Sequence, residues 1–247
     1  MSCRFCIVVF FFLLTAGFAF AGPPLLTDDP DTPGDKHWEI NVAFVLNKYQ
    51  TESTYDTPNL DLNYGVGNNI QIKYEVPWLI LHEQGIGTQT GLGNSNFGVK
   101  WRFLNEEQYG VNMSTYPQYE FHSITSSVNK GLVEEGTNLL LPVEVSKKMG
   151  PVLIDGEVGY TIEQQHEDEW LYGFFIGYDV RENLTILGEI HCITAKGINK
   201  NDAVFNVGTQ WDFTKNYGLL ASAGRSLANG ASDEPNLLLY LGLQIRL

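Results

Sequence analysis

Cysteine and positive charge are both scarce in this chain. Its 247 residues include three cysteines, of which Cys3 and Cys6 lie in the apolar stretch at the start and only Cys192 lies beyond it. A single cysteine cannot form an intrachain disulfide, so stability has to come from elsewhere. Lysine and arginine number 15 against 29 aspartates and glutamates, which gives a formal net charge of −14. Such an acidic chain is poorly suited to nucleic acid, and no nucleic-acid partner is expected.

Long apolar runs are also missing, except at the start of the sequence. Arg4, the apolar run 7–20 and the motif Ala19-Phe20-Ala21 are together typical of a secretory signal sequence, 1–21, and we expect Gly22 to begin the mature chain. The run is too short for a transmembrane helix, which needs roughly 20 apolar residues. Every later apolar stretch is interrupted about every second residue, so no transmembrane helix is predicted.

The sequence shows alternation instead. The stretch 237–247 (LLLYLGLQIRL) places apolar side chains on one face and more polar or small ones on the other. This period of two indicates a β-strand with one apolar side. The same alternation begins at Trp38 and continues with short breaks. One break, Gly67-Asn68-Asn69, lies between two alternating runs and predicts a hairpin turn.

The pattern predicts an all-β, antiparallel chain and requires no helix. The predicted strands number about twelve and are 38–50, 58–66, 70–82, 94–103, 111–121, 138–146, 152–162, 170–180, 184–191, 202–213, 217–226 and 236–247.

Connection lengths indicate an up-and-down transmembrane barrel. The connections after odd strands are 51–57, 83–91, 122–137, 163–169, 192–201 and 227–235. The connections after even strands are never longer than these and are 67–69, 104–110, 147–151, 181–183 and 214–216. Long outer loops and short periplasmic turns are typical of outer-membrane barrels, and an even strand number places both termini in the periplasm.

Charge is confined to the face opposite the apolar one. Fourteen charged residues fall there: Glu39, Asp61, Lys73, Glu75, Lys100, Arg102, Glu120, Glu144, Asp155, Glu157, Asp179, Glu189, Asp212 and Arg246. A soluble β-sandwich is the alternative fold, but unpaired charges in its core would each cost several kcal/mol. A hydrated barrel lumen accommodates them.

The five tryptophans are placed as an aromatic girdle would be. By strand direction, Trp38, Trp101 and Trp211 fall near the periplasmic end, whereas Trp78 and Trp170 fall near the outer end. Aromatic belts at both membrane interfaces are typical of such barrels.

The sequence divides into a signal sequence 1–21, a lead-in 22–36 and a barrel 37–247. The lead-in (GPPLLTDDPDTPGDK) has no period. Its aspartates Asp28, Asp29 and Asp31 allow three interpretations: a simple turn before proline, a Ca²⁺ site without EF-hand spacing, or a plug that closes the lumen.

The lead-in and the first strands resemble a known family. The stretches 25–39 (LLTDDPDTPGDKHWE), 60–71 (LDLNYGVGNNIQ) and 94–103 (NSNFGVKWRF) are similar to the outer-membrane β-barrel family named for the MetA pathway of phenol degradation, which is described as transporter-like. The resemblance spans most of the mature chain. It implies import of aromatic or other hydrophobic compounds, and its motifs specify no substrate.

The predicted lumen has two unlike walls. Glu39, Asp61, Lys73, Glu75, Lys100, Arg102 and Arg246 make a mixed wall, in which we expect Arg246 and Glu39 to pair across the seam. The acidic wall consists of Glu120, Glu144, Asp155, Glu157, Asp179, Glu189 and Asp212. The walls either create a transverse field that favours cations or simply keep the lumen hydrated.

Catalysis has little support in the sequence. The five histidines are scattered, His191-Cys192 is the only suggestive pair, and no G-x-S-x-G motif exists. Ser114 or Ser146 with a lumenal acid could form a hydrolase site, but no histidine clearly joins them. The glycines between 85 and 93 precede a strand instead of a helix, so they form no phosphate loop. No enzyme activity, cofactor or metal is expected.

These patterns predict an outer-membrane channel or facilitator for passive uptake of small molecules in a Gram-negative bacterium. A structural, adhesive or sensing barrel with a blocked lumen is the second hypothesis, and a barrel-borne hydrolase is the third. The acidic loops carry Glu134-Glu135, Glu167-Asp168-Glu169 and Asp233-Glu234, which either face solvent or bind lipopolysaccharide through divalent ions. The expected partners are outer-membrane lipid and lipopolysaccharide, the barrel assembly machinery through the last strand, and a small-molecule solute.

Overall fold

The computed structural model describes Gly22 and residues 24–195, 201–227 and 235–247. The predicted signal sequence 1–21 lies outside the described residues, as do parts of the predicted loops 192–201 and 227–235. The strands are β1 (Trp38–Lys48), β2 (Glu52–Val66), β3 (Ile70–Glu83), β4 (Gly87–Leu92), β5 (Asn94–Leu104), β6 (Asn112–Thr115), β7 (Gln118–His122), β8 (Thr137–Met149), β9 (Val152–Glu163), β10 (Glu169–Arg181), β11 (Leu184–Ala195), β12 (Asn201–Asp212), β13 (Tyr217–Ser226) and β14 (Leu237–Arg246). The helices are α1 (Glu106–Tyr109) and α2 (Thr125–Asn129).

These strands form a closed antiparallel barrel of 12 strands with two extra segments, which confirms the predicted fold class. The count is twelve because β4 and β5 together make one strand, as do β6 and β7. β3 pairs with both β4 and β5, and β8 pairs with both β6 and β7. The first of these strands is interrupted at Gly93, where a Cβ would lie 2.7 Å from the Pro77 ring. Pro117, which has no N–H to donate, interrupts the second.

The barrel closes between its first and last strands. Glu39 lies opposite Arg246 and Lys48 opposite Leu237 in the β1–β14 ladder. Beyond the ladder, Trp38 and Leu247 exchange two backbone hydrogen bonds of 2.9 and 3.0 Å. We call the end of the barrel that carries this junction the turn end, and the opposite end the loop end.

The two faces of the wall differ as the alternation predicts. Outward side chains such as Phe174 and Ile176 are large, apolar and exposed, whereas inward ones such as Asn41 and Glu144 are polar and buried. Among the described residues, charged side chains face outward only near strand ends, as Lys147 does two residues before β8 ends. Between the strand ends, the outer surface is a continuous apolar belt.

The predicted difference in connection length is wrong. At the loop end, β1 and β2 are joined by residues 49–51 and β3 and β4 by residues 84–86, both shorter than the connection 105–111 at the turn end. The cause is that β2 and β4 begin earlier than their apolar pattern does. Their first residues are polar on both faces but still pair in register, as Ser53 does with Lys48 and Gly87 with Glu83.

The expectation of no helix is also wrong, although both helices are single turns. α1 lies in the connection between β5 and β6, where the Asn105 side chain accepts a hydrogen bond of 2.9 Å from the Glu107 amide. α2 lies in the connection between β7 and β8. No helix within the described residues is long and apolar enough to cross a membrane.

Candidate functional site

The candidate site is the lumen, which the lead-in enters at the turn end. The Lys36 amide donates to the Gly65 carbonyl (2.9 Å), and the Thr32 hydroxyl donates to the Asn68 carbonyl (2.9 Å). A Cβ at Gly65 would lie 1.7 Å from the Gly34 carbonyl oxygen. The two backbones therefore approach so closely that only glycine fits at position 65.

Further inside, the lead-in binds two basic side chains of β5. Lys100 Nζ lies 2.8 Å from Asp28 Oδ1 and donates a second hydrogen bond to the Asp29 carbonyl. Arg102 Nη1 lies 3.0 Å from Asp31 Oδ1. Lys100 is completely buried, so its charge depends on these partners. The structure thus places all three predicted plug aspartates inside the barrel.

Across the lumen, two acidic side chains accept hydrogen bonds from the lead-in backbone. Glu157 accepts from the Asp28 amide (3.1 Å). Glu189 accepts from the Leu26 amide (3.2 Å) and from the Thr27 amide. Carboxylates satisfy these backbone donors where no strand is available to pair with them.

A glycine makes room for the lead-in at this crossing. A Cβ at Gly173, on β10, would lie 2.3 Å from Thr27 Oγ1. Beyond Thr27 the chain continues to β13, where the Ser222 hydroxyl donates to the Pro24 carbonyl (2.6 Å). The lead-in therefore spans the lumen from β5 to β13.

This segment separates two chambers, and Leu25 and Thr27 line both of them. The loop-end chamber has a volume of about 340 Å³. Its lining includes Asn41, Asn59, Asp61, Lys73, Glu75 and Tyr240. The turn-end chamber has a volume of about 310 Å³. Its lining includes Arg102, Lys148, Phe175, Asp179, Leu187 and Gln210.

The members of the predicted acidic wall differ in their hydrogen-bond and ion-pair partners. Glu144 accepts a hydrogen bond from the Ser114 hydroxyl and lies 3.8 Å from Lys100 Nζ. Glu120, near the loop end, accepts from the Asn94 amide group (3.0 Å). Asp155 is 1% exposed, and no described residue donates a hydrogen bond to its carboxylate.

The prediction that this wall carries only acids is wrong at the turn end. β8 runs to Met149, three residues past the predicted strand end at position 146, and so includes Lys148. Lys148 Nζ lies 2.8 Å from Asp179 Oδ2. The turn-end chamber therefore has one basic group from each predicted wall, Lys148 on β8 and Arg102 on β5, with a single strand between them.

The mixed wall contains one compact charge cluster. Lys73 Nζ lies 2.9 Å from Glu75 Oε2 and 3.8 Å from Asp61 Oδ1. At the seam, Glu39 and Arg246 lie opposite each other in register, and the pairing of their side chains stays a prediction. Arg246 Nη2 also reaches Asp212 Oδ1 at 2.8 Å, a contact the sequence did not predict.

Sequence reasoning missed Tyr116, which is completely buried at the break between β6 and β7. Its hydroxyl accepts a hydrogen bond from Gln71 (3.2 Å), and Lys100 Nζ lies 4.6 Å from its ring centroid. A cation over an aromatic face is attracted to it. The sequence feature that could have identified Tyr116 is its position directly before Pro117, which interrupts an otherwise alternating run.

The residues considered for catalysis are not brought together. His191 is buried on β11, and alternation places Cys192 on the opposite face of that strand. The Ser114 hydroxyl donates to Glu144. Among the described residues, no hydrogen bond joins Ser114 or Ser146 to a histidine.

The tryptophans all lie on the outer surface, where each side chain is between 41% and 55% exposed. Trp38, Trp101 and Trp211 lie near the turn end and Trp170 near the loop end. Trp78 lies further from its strand end than the others.

One ion pair joins two of the acidic loops at the loop end. Glu134 Oε2 lies 2.5 Å from His166 Nε2. This hydrogen bond, together with the charge of Glu134, raises the pKa of His166 above its ordinary value. Since both side chains are exposed, the pair has little effect on stability.

Comparison with known proteins establishes the fold alone. No protein-family model and no curated protein matches the sequence, so the family resemblance stays a prediction. The COG4313 outer membrane channel from Pseudomonas putida F1 is similar with a TM-score of 0.70 and 13% identity, over 91% of this chain and 100% of that one.

Two porins are also similar to this chain. The NanC porin has a TM-score of 0.64 and 10% identity, over 84% of this chain and 100% of its own. The KdgM porin, in complex with disordered oligogalacturonate, has a TM-score of 0.59 and 12% identity, over 84% of this chain and 98% of its own. The chain thus has the fold of outer-membrane channels and porins.

Proposed function

We propose that this protein is an outer-membrane channel or facilitator for passive uptake of small molecules, in which the lead-in is a plug. The observation that carries the proposal is the pair of chambers of about 340 and 310 Å³, between which the lead-in lies, with Leu25 and Thr27 lining both. Hydrogen bonds and ion pairs hold the lead-in, and none of its described contacts is covalent. A modest displacement would therefore join the chambers into one path.

Three observations support the outer membrane as its location. The outer surface is apolar, tryptophans lie towards both ends of the barrel, and the fold is that of outer-membrane channels. In this orientation the turn end faces the periplasm and the loop end faces outward. The predicted partners belong to the same proposal: lipid and lipopolysaccharide around the barrel, and the assembly machinery at β14.

Aromatic or other hydrophobic solutes are supported by the family resemblance and by the chamber linings. The turn-end chamber includes Phe175, Leu153 and Leu187, and the loop-end chamber includes Leu140 and Leu171. Each chamber also has charged groups. The linings therefore fit solutes that combine an apolar body with a polar group.

The test compares single-channel conductance of the mature protein with that of a variant lacking residues 24–33, in planar bilayers. We expect small steps for the intact chain and several-fold larger steps for the deletion, because the lead-in occupies the centre of the lumen. Heat-dependent mobility on gels serves as the folding control for both proteins.

A structural barrel with a blocked lumen is the second candidate, because Thr27 and Asp29 of the lead-in are only 2% and 5% exposed. If the folded deletion variant carries no current, the channel proposal is wrong and the structural barrel is favoured.

A further inference from the structure

The loop-end chamber has an apolar part and a polar part. Val45, Leu140 and Leu171 belong to the apolar part. The polar part consists of Asn41 on β1, Asn59 and Asp61 on β2, and Glu75 on β3, which are neighbours in the sheet. We call this polar part the acceptor patch. Leu26, which also lines the chamber, is 48% exposed, so solvent reaches the chamber.

In the acceptor patch, the side-chain amide groups of both asparagines already donate hydrogen bonds, whereas three side-chain oxygens accept none within the part of the chain that the structure describes. The Asn41 amide group donates to Asp61 Oδ2 (3.2 Å), and the Asn59 amide group donates to Glu75 Oε1 (2.8 Å). The oxygens Asn41 Oδ1, Asn59 Oδ1 and Asp61 Oδ1 accept no hydrogen bond from the described residues. These side chains are 0%, 9% and 4% exposed. Buried acceptors require donors, so the patch is complementary to a ligand that supplies them.

The charge of the chamber specifies the ligand further. The ammonium of Lys73 is shared between Asp61 and Glu75. Asp56 lines the chamber, and within the described residues no ion pair or hydrogen bond reaches its carboxylate. The lining is therefore acidic overall, which favours a cation and disfavours an anion.

A metal ion fits this chamber less well than an organic cation. In the described part of the chain, no three carboxylate, imidazole or thiolate groups lie close enough together to hold a metal. Two of the three oxygens that accept no hydrogen bond from the described residues are amide oxygens. A protonated primary amine brings three N–H donors on one nitrogen, as a lysine side chain does.

We infer that the loop-end chamber binds a small organic cation, a protonated primary amine attached to an apolar body. The ammonium group donates to the acceptor patch, with the Tyr240 ring in the same lining, and the body packs against Val45, Leu140 and Leu171. The volume of about 340 Å³ is near the lower limit for ligand pockets, which restricts the solute to a small one. This inference rests on the proposed function and specifies its solute class.

The first experiment is calorimetric titration of the full mature chain in detergent at pH 7 and low salt. Phenethylamine is the probe, phenylacetate has a related body with opposite charge, and 2-phenylethanol has the same body without charge. We expect saturable binding of phenethylamine, at least tenfold weaker binding of 2-phenylethanol, and no binding of phenylacetate. Equal affinity for the amine and either comparator overturns the inference.

A fourth ligand tests the hydrogen-bond donors separately from the charge. The trimethylammonium analogue of phenethylamine keeps the positive charge and has no N–H group. We expect it to bind about tenfold more weakly, since charge-assisted hydrogen bonds to the acceptor patch are lost. Binding as tight as that of phenethylamine refutes the role of the acceptors.

Variants then locate the site. Asp61→Asn should weaken phenethylamine binding about tenfold. Lys73 keeps its ion pair with Glu75 in this variant. Asp56→Asn changes a half-buried residue whose carboxylate has no described hydrogen bond or ion pair, and it should also weaken binding without affecting folding. The matched control is Glu182→Gln, which removes one carboxylate from the exposed turn between β10 and β11. If neither chamber variant weakens binding, or if the control weakens it equally, the amine site is not in this chamber.

The binding and conductance experiments test the two proposals independently. The titration needs no membrane, so amine binding without current supports the solute site and contradicts the channel. Current without amine binding supports the channel and overturns this inference.

Discussion

At the scale of single residues, glycines determine where the lead-in can lie. Gly65 admits the Gly34 carbonyl at the turn end, and Gly173 admits Thr27 at the middle of the lumen. Both are close approaches in which a methyl group would overlap atoms of the lead-in. Neither was recognised as important in the sequence, because a strand glycine reveals its role only when the neighbouring chain is known.

Gly173→Ala should therefore increase conductance. The new Cβ would lie 2.3 Å from Thr27 Oγ1, so the lead-in has to move away from β10. We expect larger single-channel steps, or more time in the open state, in planar bilayers. Gly188→Ala on the adjacent strand is the matched control, because nothing lies within 4 Å of a Cβ there. Identical traces for the two variants would show that Thr27 does not limit the current.

The partners of charged residues were predicted less well than their positions. Arg246 was expected to pair with Glu39, and the register does place them opposite each other. The guanidinium also reaches Asp212 on β12, two strands away, because the intervening position is Gly218. A Cβ at Gly218 would lie 2.7 Å from Asp212 Oδ1, so glycine provides the space for this contact. Alternation in the sequence does not show which side chains contact each other across an intervening strand.

At the scale of elements, β5 and the lead-in are joined through one buried lysine. Lys100 contacts Asp28 and Asp29 of the lead-in, Glu144 of β8, and the ring of Tyr116. Removing one member of a buried ion network leaves the others uncompensated, which is far more costly than losing a surface charge.

Lys100→Met should destabilise the protein by roughly 3–5 kcal/mol, because Asp28 and Glu144 lose their buried partner. The measurement is tryptophan fluorescence during urea unfolding in detergent micelles. Lys147→Met is the control: Lys147 is exposed near the end of β8, and its loss should change stability by about 0.5 kcal/mol or less. A midpoint for Lys100→Met equal to that of the control would contradict a structural role for the network.

Strand existence was predictable at this scale, and strand starts were not. The apolar alternation of β2 and β4 covers only the part of each strand within the apolar belt, but the hydrogen-bond ladder continues through Ser53 and Gly87. The apolar alternation indicates only which positions face the apolar outer surface, whereas strand pairing depends on backbone hydrogen bonds alone. In the sequence, the polar extensions at the loop end therefore have the pattern of loops.

At the scale of the whole molecule, the lumen contains more acids than bases. Five basic side chains have acidic partners inside the barrel: Lys73, Lys100, Arg102, Lys148 and Arg246. Glu157, Glu189 and Asp155 have no described ion pair, and two of them bind the lead-in backbone instead. Such an interior attracts cations.

The channel should accordingly prefer cations, and changing Glu144, Asp155 and Glu157 together to glutamine should reduce that preference. The measurement is the reversal potential in a KCl gradient. The control removes three charges at the loop end instead, with Glu167→Gln, Asp168→Asn and Glu169→Gln, and should keep the wild-type value. An anion-selective wild type, or equal shifts in both triple variants, would contradict a lumen-based selectivity.

The barrel itself was predictable because a period of two recurs along nearly the whole chain and separates charge from apolar surface. The path of the lead-in was not predictable, because 22–36 has no period. Its contacts with Lys100, Glu157 and Ser222 come from strands that only the closed barrel brings together.

Pairing of β1 with β14 requires the largest loss of chain entropy of any strand pairing, because it joins the first and last strands of the barrel. The other strand pairings join neighbours along the chain, so each can form as a local hairpin, whereas Glu39 meets Arg246 only after the rest of the sheet is in place. Until then both strands are open edges with unpaired backbone groups, the state most prone to pairing with other chains. We therefore expect the time before seam closure to be the interval in which a newly made chain most needs protection from aggregation.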